Sequence, residues 1–175
     1  EPTLLITHGV SGSGKTTASE CVIQQAGAIR LRSDVERKRH FGLQSVDRVT
    51  ERMQQQIYSE PANHATYTRL RRLATGILRA GFPVVVDATF LRHSDRASFR
   101  ALADQEGASF GILNCHTDES TLRRRVTDRL ARNSDASDAD LDVLDQQLQS
   151  REPLLESELL CVVSDPEPAQ TANQS

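Results

Sequence analysis

Gly9-Val10-Ser11-Gly12-Ser13-Gly14-Lys15-Thr16, followed by Thr17, decides the fold of this chain of 175 residues. The stretch fits the pattern Gly-x-x-x-x-Gly-Lys-Ser/Thr, in which glycines let the backbone turn its N–H groups inward around phosphate oxygens. The lysine of the pattern reaches the β- and γ-phosphates, and the hydroxyl after it binds Mg²⁺. We therefore predict that all nine residues bind a nucleotide, with Lys15 stabilising the transferred phosphate and Thr16 as a metal ligand.

Apolar segments alternate with helix-forming segments along the chain. The predicted strands are residues 3–8, 28–32, 83–87, 110–115 and 159–163. The predicted helices are residues 15–25, a short segment capped by Ser33 and Asp34, part of 45–80 beginning near Pro61, 94–107, 118–132 and 139–151. This alternation predicts an α/β three-layer sandwich, a five-stranded parallel sheet flanked by helices, with ligands at the carboxyl ends of the strands.

Length and composition limit the organisation of the chain. We predict one domain over residues 1–164 and a disordered tail over 165–175, where Pro, Glu, Gln, Asn and Ser dominate. The net charge of −3 argues against a dedicated duplex-DNA binder, and no segment approaches the roughly 18 apolar residues of a membrane span. Three scattered cysteines favour reduced thiols and a cytoplasmic location. Because the sequence opens at Glu1, we expect a domain of something larger.

Two acids follow predicted strands. Asp87, which ends the valine-rich strand, is predicted to bind Mg²⁺ or to order water, with a helix cap or loop contact as the alternative. Asp34 is predicted to accept the proton of a hydroxyl that attacks phosphorus, a role compatible with capping a helix. Arg37, one helical turn later, lies on the same face and would hold the substrate or the transferring group. Arg32 and Thr89 complete the predicted substrate-binding set.

Arginines are concentrated in the predicted helix 118–132, just before a polar loop at 133–138. Arg125, Arg129 and Arg132 are spaced on one helical face, which favours a lid that neutralises phosphate charge and excludes water. The alternative is a solvated basic face. We predict that these three arginines bind the nucleotide.

Other nucleotide-binding classes are disfavoured by missing motifs. Neither of the two lysines follows an asparagine, so an Asn-Lys-x-Asp guanine motif is lacking. Asp87 leads into Ala88-Thr89-Phe90 rather than the Asp-x-x-Gly of a GTPase switch. A Leu-Ser-Gly-Gly transporter signature is lacking as well. These exclusions favour a kinase of the nucleotide-kinase type that uses ATP.

Four stretches resemble one kinase group, namely residues 8–17, 30–39, 86–91 and 135–140. They resemble polynucleotide 5′-hydroxyl kinases and, more closely, the bacterial predicted kinases of the AAA_33 or zeta-toxin-like group. The resemblance implies a P-loop NTPase fold that uses ATP and Mg²⁺, with Asp34 as base, Arg37 on the substrate and Arg132 as a catalytic lid arginine. It further implies a linked domain similar to aminoglycoside phosphotransferases. Residues 151–154, also typical of this group, are expected to pack near the adenine.

The leading hypothesis is transfer of the γ-phosphate of ATP to a hydroxyl group of a small molecule or of a nucleotide or polynucleotide 5′ end. A nucleic-acid acceptor is implied by the resemblance alone, because the chain lacks an obvious basic and aromatic path for a single strand. The alternative is a regulatory module that binds ATP and hydrolyses it slowly within a larger protein. Residues 40–75, which would contact the acceptor, contain no recognisable motif.

Overall fold

The computed structural model describes residues 2–45, 47, 49–132 and 139–163, with Glu51 and Arg132 described by their backbone only. Five parallel strands form one sheet in the order β2-β3-β1-β4-β5. The strands are β1 (Thr3–His8), β2 (Ile29–Arg32), β3 (Val84–Asp87), β4 (Ser109–Asn114) and β5 (Val162–Val163). The predicted three-layer α/β fold with a five-stranded parallel sheet is therefore confirmed.

The described helices connect these strands. They are α1 (Lys15–Ala26), α2 (Ser33–His40), α3 (Glu51–Ile57), α4 (Glu60–Arg79), α5 (His93–Gln105), α6 (Glu119–Arg132), α7 (Leu141–Ser150) and α8 (Glu156–Leu159). Pro61 lies in the first turn of α4, where its missing N–H has no intrahelical partner to lose. No helix among the described residues has both the length and the apolarity to cross a membrane.

Apolar packing on both faces fixes the sheet. On one face, Leu4, Ile6 and Val86 pack with apolar residues of α4 and α5, including Leu70 and Phe99. On the other face, Val85 and Leu113 pack against α1. A smaller cluster joins the glycine loop to α6 and α7 through Val10, Leu122, Val126 and Leu144. The central strands are buried on both sides, which explains their nearly continuous apolar sequences.

Two local predictions are wrong. The strand expected over 159–163 is limited to Val162–Val163, because residues 156–159 form α8. The expected cap at Ser33 and Asp34 is absent, since Arg32 is the N-cap of α2 without a side-chain cap bond and Asp34 lies inside the first turn. The predicted tail over 165–175 and the polar loop at 133–138 lie outside the described residues.

Candidate active site

The glycine loop joins β1 to α1 through backbone conformations that other residues rarely adopt. Gly9 has a φ of +148°, and a Cβ there would lie 2.4 Å from the Cys115 carbonyl oxygen and 2.5 Å from Ser13 Oγ. Gly14, the N-cap of α1, has a φ of +98°. The N-terminus of α1 therefore opens directly onto the loop, where its N–H groups favour an anion.

Lys15 lies inside this turn. Its Nζ donates a hydrogen bond to the Val10 carbonyl oxygen at 2.7 Å. Burial lowers the pKa of Lys15, and the carboxylates of Asp87 and Asp34 oppose that shift. A cation held within the loop by the Val10 carbonyl, with two carboxylates nearby, is the charge that a phosphate group requires.

Asp87 ends β3 beside the first turn of α1. Thr16 Oγ1 donates to Asp87 Oδ2 at 3.2 Å, and Arg32 Nε lies 3.8 Å from the same oxygen. Burial raises the pKa of Asp87, while Lys15 and Arg32 oppose the shift. Among the described residues no group of three His, Cys, Asp or Glu side chains could hold a metal alone. One hydroxyl and one carboxylate instead fit Mg²⁺, which completes its shell with phosphate oxygens and water.

The backbone after β3 is held against the glycine loop. Thr7 Oγ1 donates to the Ala88 carbonyl at 2.6 Å, and the Gly9 N–H donates to the Thr89 carbonyl at 3.1 Å. Phe90 has a φ of +46°, unusual for a residue with a side chain, and its N–H donates to the Tyr67 hydroxyl at 3.0 Å. The Tyr67 hydroxyl also lies 3.4 Å from Thr89 Oγ1, so Thr89 faces the cleft beside Asp87.

Asp34 and Arg37 meet on one face of α2, as their spacing predicts. Arg37 Nη1 donates to Asp34 Oδ1 at 2.9 Å, and its Nη2 donates to Asn63 Oδ1 of α4 at 3.1 Å. The guanidinium carbon of Arg37 lies 4.8 Å from the centre of the Tyr58 ring. Tyr58 and Asn63 thus hold the arginine. Sequence reasoning missed both, and only their place in the unassigned segment 40–75 pointed to them.

The arginines of α6 differ in their contacts. Arg125 Nη1 donates to the Gly12 carbonyl at 3.1 Å, and Arg129 Nη2 donates to the Ala139 carbonyl at 2.8 Å. Both line the cleft, whereas Arg123 pairs with Glu119 and Asp145 on the surface. Arg132 is the last residue of α6, and its side chain lies outside the described part of the chain.

Further along the cleft, α7 contributes a contact that sequence reasoning also missed. The Gln147 side chain accepts a hydrogen bond from the Ser11 N–H at 2.8 Å. Within residues 151–154, expected near the adenine, the carbonyls of Glu152 and Pro153 are partners of Arg96, and the adenine contact stays a prediction. This arginine is 1% exposed and donates to both Glu158 carboxylate oxygens and to the carbonyls of Phe90, Glu152 and Pro153.

One cleft of about 880 Å³ is lined by residues 11–17 of the glycine loop and α1, by Asp34 and Arg37, by Asp87 and Thr89, and by Arg125, Arg129 and Gln147. Its loop end comprises the glycine loop with Asp87 and the α6 arginines Arg125 and Arg129. Its helical end is formed by side chains of α2, of the segment from Tyr58 through α4, and of the region from Arg92 into α5. The described lining residues of the helical end are Asp34, Arg37, Tyr58, Glu60, Asn63, His64, Tyr67, Arg92 and Asp95.

A glycine loop at the end of a central parallel strand, with an acid at the end of the neighbouring strand, defines a P-loop nucleotide-binding domain. The family model described as AAA domain, AAA_33, matches residues 4–154, and the chain belongs to that family. The predicted family is therefore confirmed, while the linked phosphotransferase-like domain stays a prediction. No curated protein matches the chain.

Solved kinase structures share the fold. A gluconokinase from Sinorhizobium meliloti 1021 matches with a TM-score of 0.62 and 21% identity over 93% of this chain and 81% of that chain. The APS kinase CysC of Mycobacterium tuberculosis, in complex with AMPPNP and APS, matches with a TM-score of 0.58 and 22% identity. The match covers 76% of this chain and 73% of that chain. A chain of a Pnkp1/Rnl/Hen1 RNA repair complex matches with a TM-score of 0.63 and 17% identity. The match covers 85% of this chain and 43% of that chain. This chain therefore has the fold found in P-loop kinases.

Proposed function

We propose that this chain is an ATP-dependent kinase that transfers the γ-phosphate to a hydroxyl group of a small molecule or of a nucleotide or polynucleotide 5′ end. The observation that carries the proposal is the presence of Asp34, held by Arg37, in the same cleft as Lys15 and the Thr16–Asp87 pair. A phosphate-binding loop alone would suit many nucleotide-binding proteins. A carboxylate opposite the loop is what a hydroxyl acceptor requires.

The loop end would bind the triphosphate of ATP. The N–H groups of the loop and of α1 surround the phosphates, and Lys15 would leave the Val10 carbonyl to contact the β- and γ-phosphates. Thr16 and Asp87 would hold Mg²⁺, which supplies neutralisation of phosphate charge. Arg125 and Arg129, with Arg132 as the third candidate of the same helix, would stabilise the charge that develops during transfer.

The helical end would bring the acceptor hydroxyl to the γ-phosphate. The hydroxyl oxygen forms a bond to phosphorus while the bond from phosphorus to the β-phosphate oxygen breaks, and ADP leaves. Asp34 would accept the hydroxyl proton. Its side chain is 24% exposed, so an acceptor can reach it, and the bond from Arg37 fixes its orientation. Arg32 and Thr89 line the same cleft and would contact the acceptor.

Substitution of Asp34 tests the proposal directly. The wild type and Asp34→Asn are incubated with ATP labelled at the γ-phosphate and a panel of hydroxyl acceptors, and the labelled product is measured. We expect kcat to fall by about 10²- to 10⁴-fold, because the proton acceptor is lost, while ATP affinity stays within about twofold. Asp104→Asn removes an exposed carboxylate of α5 outside the cleft and serves as the matched control.

The same experiment tests the regulatory alternative, in which ATP is bound and slowly hydrolysed without an acceptor. In that case no acceptor becomes labelled, and Asp34→Asn hydrolyses ATP at the wild-type rate. That pair of results would contradict the kinase proposal. ATP binding that persists in Lys15→Ala at full affinity would contradict the proposed role of the loop itself.

A further inference from the structure

The charges at the helical end carry an inference about the acceptor, and it rests on the proposed function. Both arginines that line this end already have carboxylate partners. Arg37 is bonded to Asp34, and Arg92 Nη1 donates to Glu60 Oε2 at 2.8 Å, with a second contact between Arg92 Nη2 and Glu60 Oε1. Each guanidinium is therefore already paired with a carboxylate of the protein, Arg92 with Glu60 at the surface, which leaves less positive charge for a phosphate or carboxylate on the acceptor.

Asp95 is the carboxylate that remains. It lies in the first turn of α5, is partly buried, lines the cleft and receives no hydrogen bond from the described residues. Burial raises the pKa of Asp95, with Arg92 opposing and the nearby carboxylates of Glu60 and Glu152 adding to the rise. A partly buried carboxylate that no described protein group bonds is open to a hydrogen-bond donor of a ligand in the cleft.

The neighbouring side chains of α4 are hydrogen-bonding groups rather than arginines or lysines. Asn63, His64 and Tyr67 follow one another at positions i, i+1 and i+4 of α4, and all three line the cleft next to the carboxylates. Amide, imidazole and phenol groups both donate and accept hydrogen bonds, as the hydroxyl groups of a polyol do. Asn63 is already bonded to Arg37 and to the Tyr58 carbonyl, and the Tyr67 hydroxyl accepts from the Phe90 N–H, so a ligand would use their remaining hydrogen-bonding capacity. An anionic acceptor would be placed beside Asp95 without a free guanidinium to compensate it, which is electrostatically unfavourable.

We propose that the acceptor is a polyhydroxyl compound without phosphate or carboxylate groups, and that Asp95 binds one of its non-reacting hydroxyl or ammonium groups. Asp95 is thus a specificity-determining residue. It favours an amino-bearing polyol over the neutral analogue, because a carboxylate binds an ammonium group more strongly than a hydroxyl. Asp34 and Asp95 have different roles. Asp34 accepts the proton of the reacting hydroxyl, and Asp95 binds a non-reacting group of the acceptor.

A matched panel tests this inference. The wild type is supplied with labelled ATP and, in separate reactions, a hexose, the corresponding 2-amino-2-deoxyhexose, the corresponding hexonic acid and a 5′-hydroxyl oligonucleotide. We expect kcat/KM to be highest for the amino sugar, lower for the hexose and lower again, by at least tenfold, for the two anionic acceptors. Asp95→Asn should raise KM for the amino sugar about tenfold, raise KM for the hexose less, and leave kcat within twofold.

Asp104→Asn, on the same helix but outside the cleft, should leave the acceptor order and each KM unchanged. The inference is overturned if the hexonic acid or the oligonucleotide is the best acceptor, or if Asp95→Asn leaves the ratio of amino sugar to hexose unchanged. Either result leaves the kinase proposal standing, because phosphate is still transferred. Absence of label from every acceptor, with ATP still bound, contradicts the proposed function and this inference with it.

Discussion

The two ends of the cleft are built in different ways. The loop end is mostly backbone, with the N–H groups of one continuous stretch and a glycine that tolerates no Cβ. The helical end is made of side chains from α2, α4 and α5, which meet through contacts such as the one from Arg37 to Asn63 across 26 residues. A backbone site recognises a group shared by all nucleotides, whereas a side-chain site can change its ligand by single substitutions. Mutations at the loop end should therefore have the same effect on the kinetics with every acceptor, whereas mutations at the helical end should have effects that differ between acceptors.

The largest effect is expected at the loop end. Lys15→Ala removes the cation that would contact the β- and γ-phosphates, and kcat/KM for ATP should fall about a thousandfold. The factor should be the same for every acceptor, because the phosphates are common to all reactions. Steady-state kinetics with at least two acceptors measures it, and a strongly acceptor-dependent loss would contradict the separation of the two ends.

The α6 arginines should give the next effect. Arg129→Ala removes a guanidinium that lines the cleft, and kcat should fall about 10- to 100-fold with every acceptor. Arg124→Ala changes an exposed residue of the same helix and is the matched control. Its kcat should stay within about twofold of the wild-type value. Equal behaviour of the two variants would favour the solvated basic face over a role in the reaction.

A smaller and acceptor-dependent effect is expected at the helical end. Asn63→Ala removes the partner of Arg37 Nη2, so the free energy of unfolding should fall by about 1 to 3 kcal/mol in urea titrations. KM for the acceptor should rise about tenfold while KM for ATP stays near the wild-type value, because only the helical end loses a contact. Asn114→Ala replaces an exposed amide at the end of β4 and is the control. A change in KM for ATP as large as that for the acceptor would show that the ends are not separable.

The pH dependence of kcat/KM for ATP should give the mildest effect near neutrality. The proposed Mg²⁺ contact requires an ionised Asp87, and because burial raises its pKa, activity should be lost as the pH falls through a value above the ordinary pKa of about 3.9 for aspartate. The proposed phosphate contact requires a charged Lys15, and because burial lowers its pKa, activity should be lost as the pH rises through a value below the ordinary pKa of about 10.4 for lysine. The plot of kcat/KM against pH should be a bell narrower than one set by the ordinary pKa values of aspartate and lysine. Acidic and basic limbs at those ordinary pKa values would contradict this prediction.

The same difference in construction explains what the sequence could predict. The glycine loop, β1 and α1 are contiguous in sequence, so the spacing of Gly9, Gly14 and Lys15 was sufficient to predict the loop and the elements on either side of it. Asp34 and Arg37 lie one helical turn apart and were predicted together. Asn63 and Asp95 belong to common residue types on other helices, and only the folded chain brings them to the same cleft. Sequence patterns did not predict residues that reach the cleft only through contacts between distant parts of the chain.

The two wrong predictions have different causes, one local and one tertiary. Ser33 and Asp34 have the residue types of a helix cap, yet Asp34 is bonded to Arg37 inside α2. Residues 159–163 have the apolar sequence of a strand, yet Glu158 is drawn into α8 by the buried Arg96. The Arg96–Glu158 pair is buried and has several hydrogen bonds, whereas Asp34 has a single bond to the arginine one turn later.

The Arg96 contact also has a consequence for the order of folding. Arg96 and Glu158 are 62 residues apart, and the same guanidinium holds the Phe90 carbonyl beside the cleft. During synthesis the glycine loop, Asp87 and α1 can come together once β4 has been made, whereas the α6 arginines of the loop end follow later. The helical end reaches its final geometry only after residue 158 has been translated, since Arg96 lacks its carboxylate until then. A ribosome-bound intermediate that ends between these points would bind the triphosphate before it could position an acceptor.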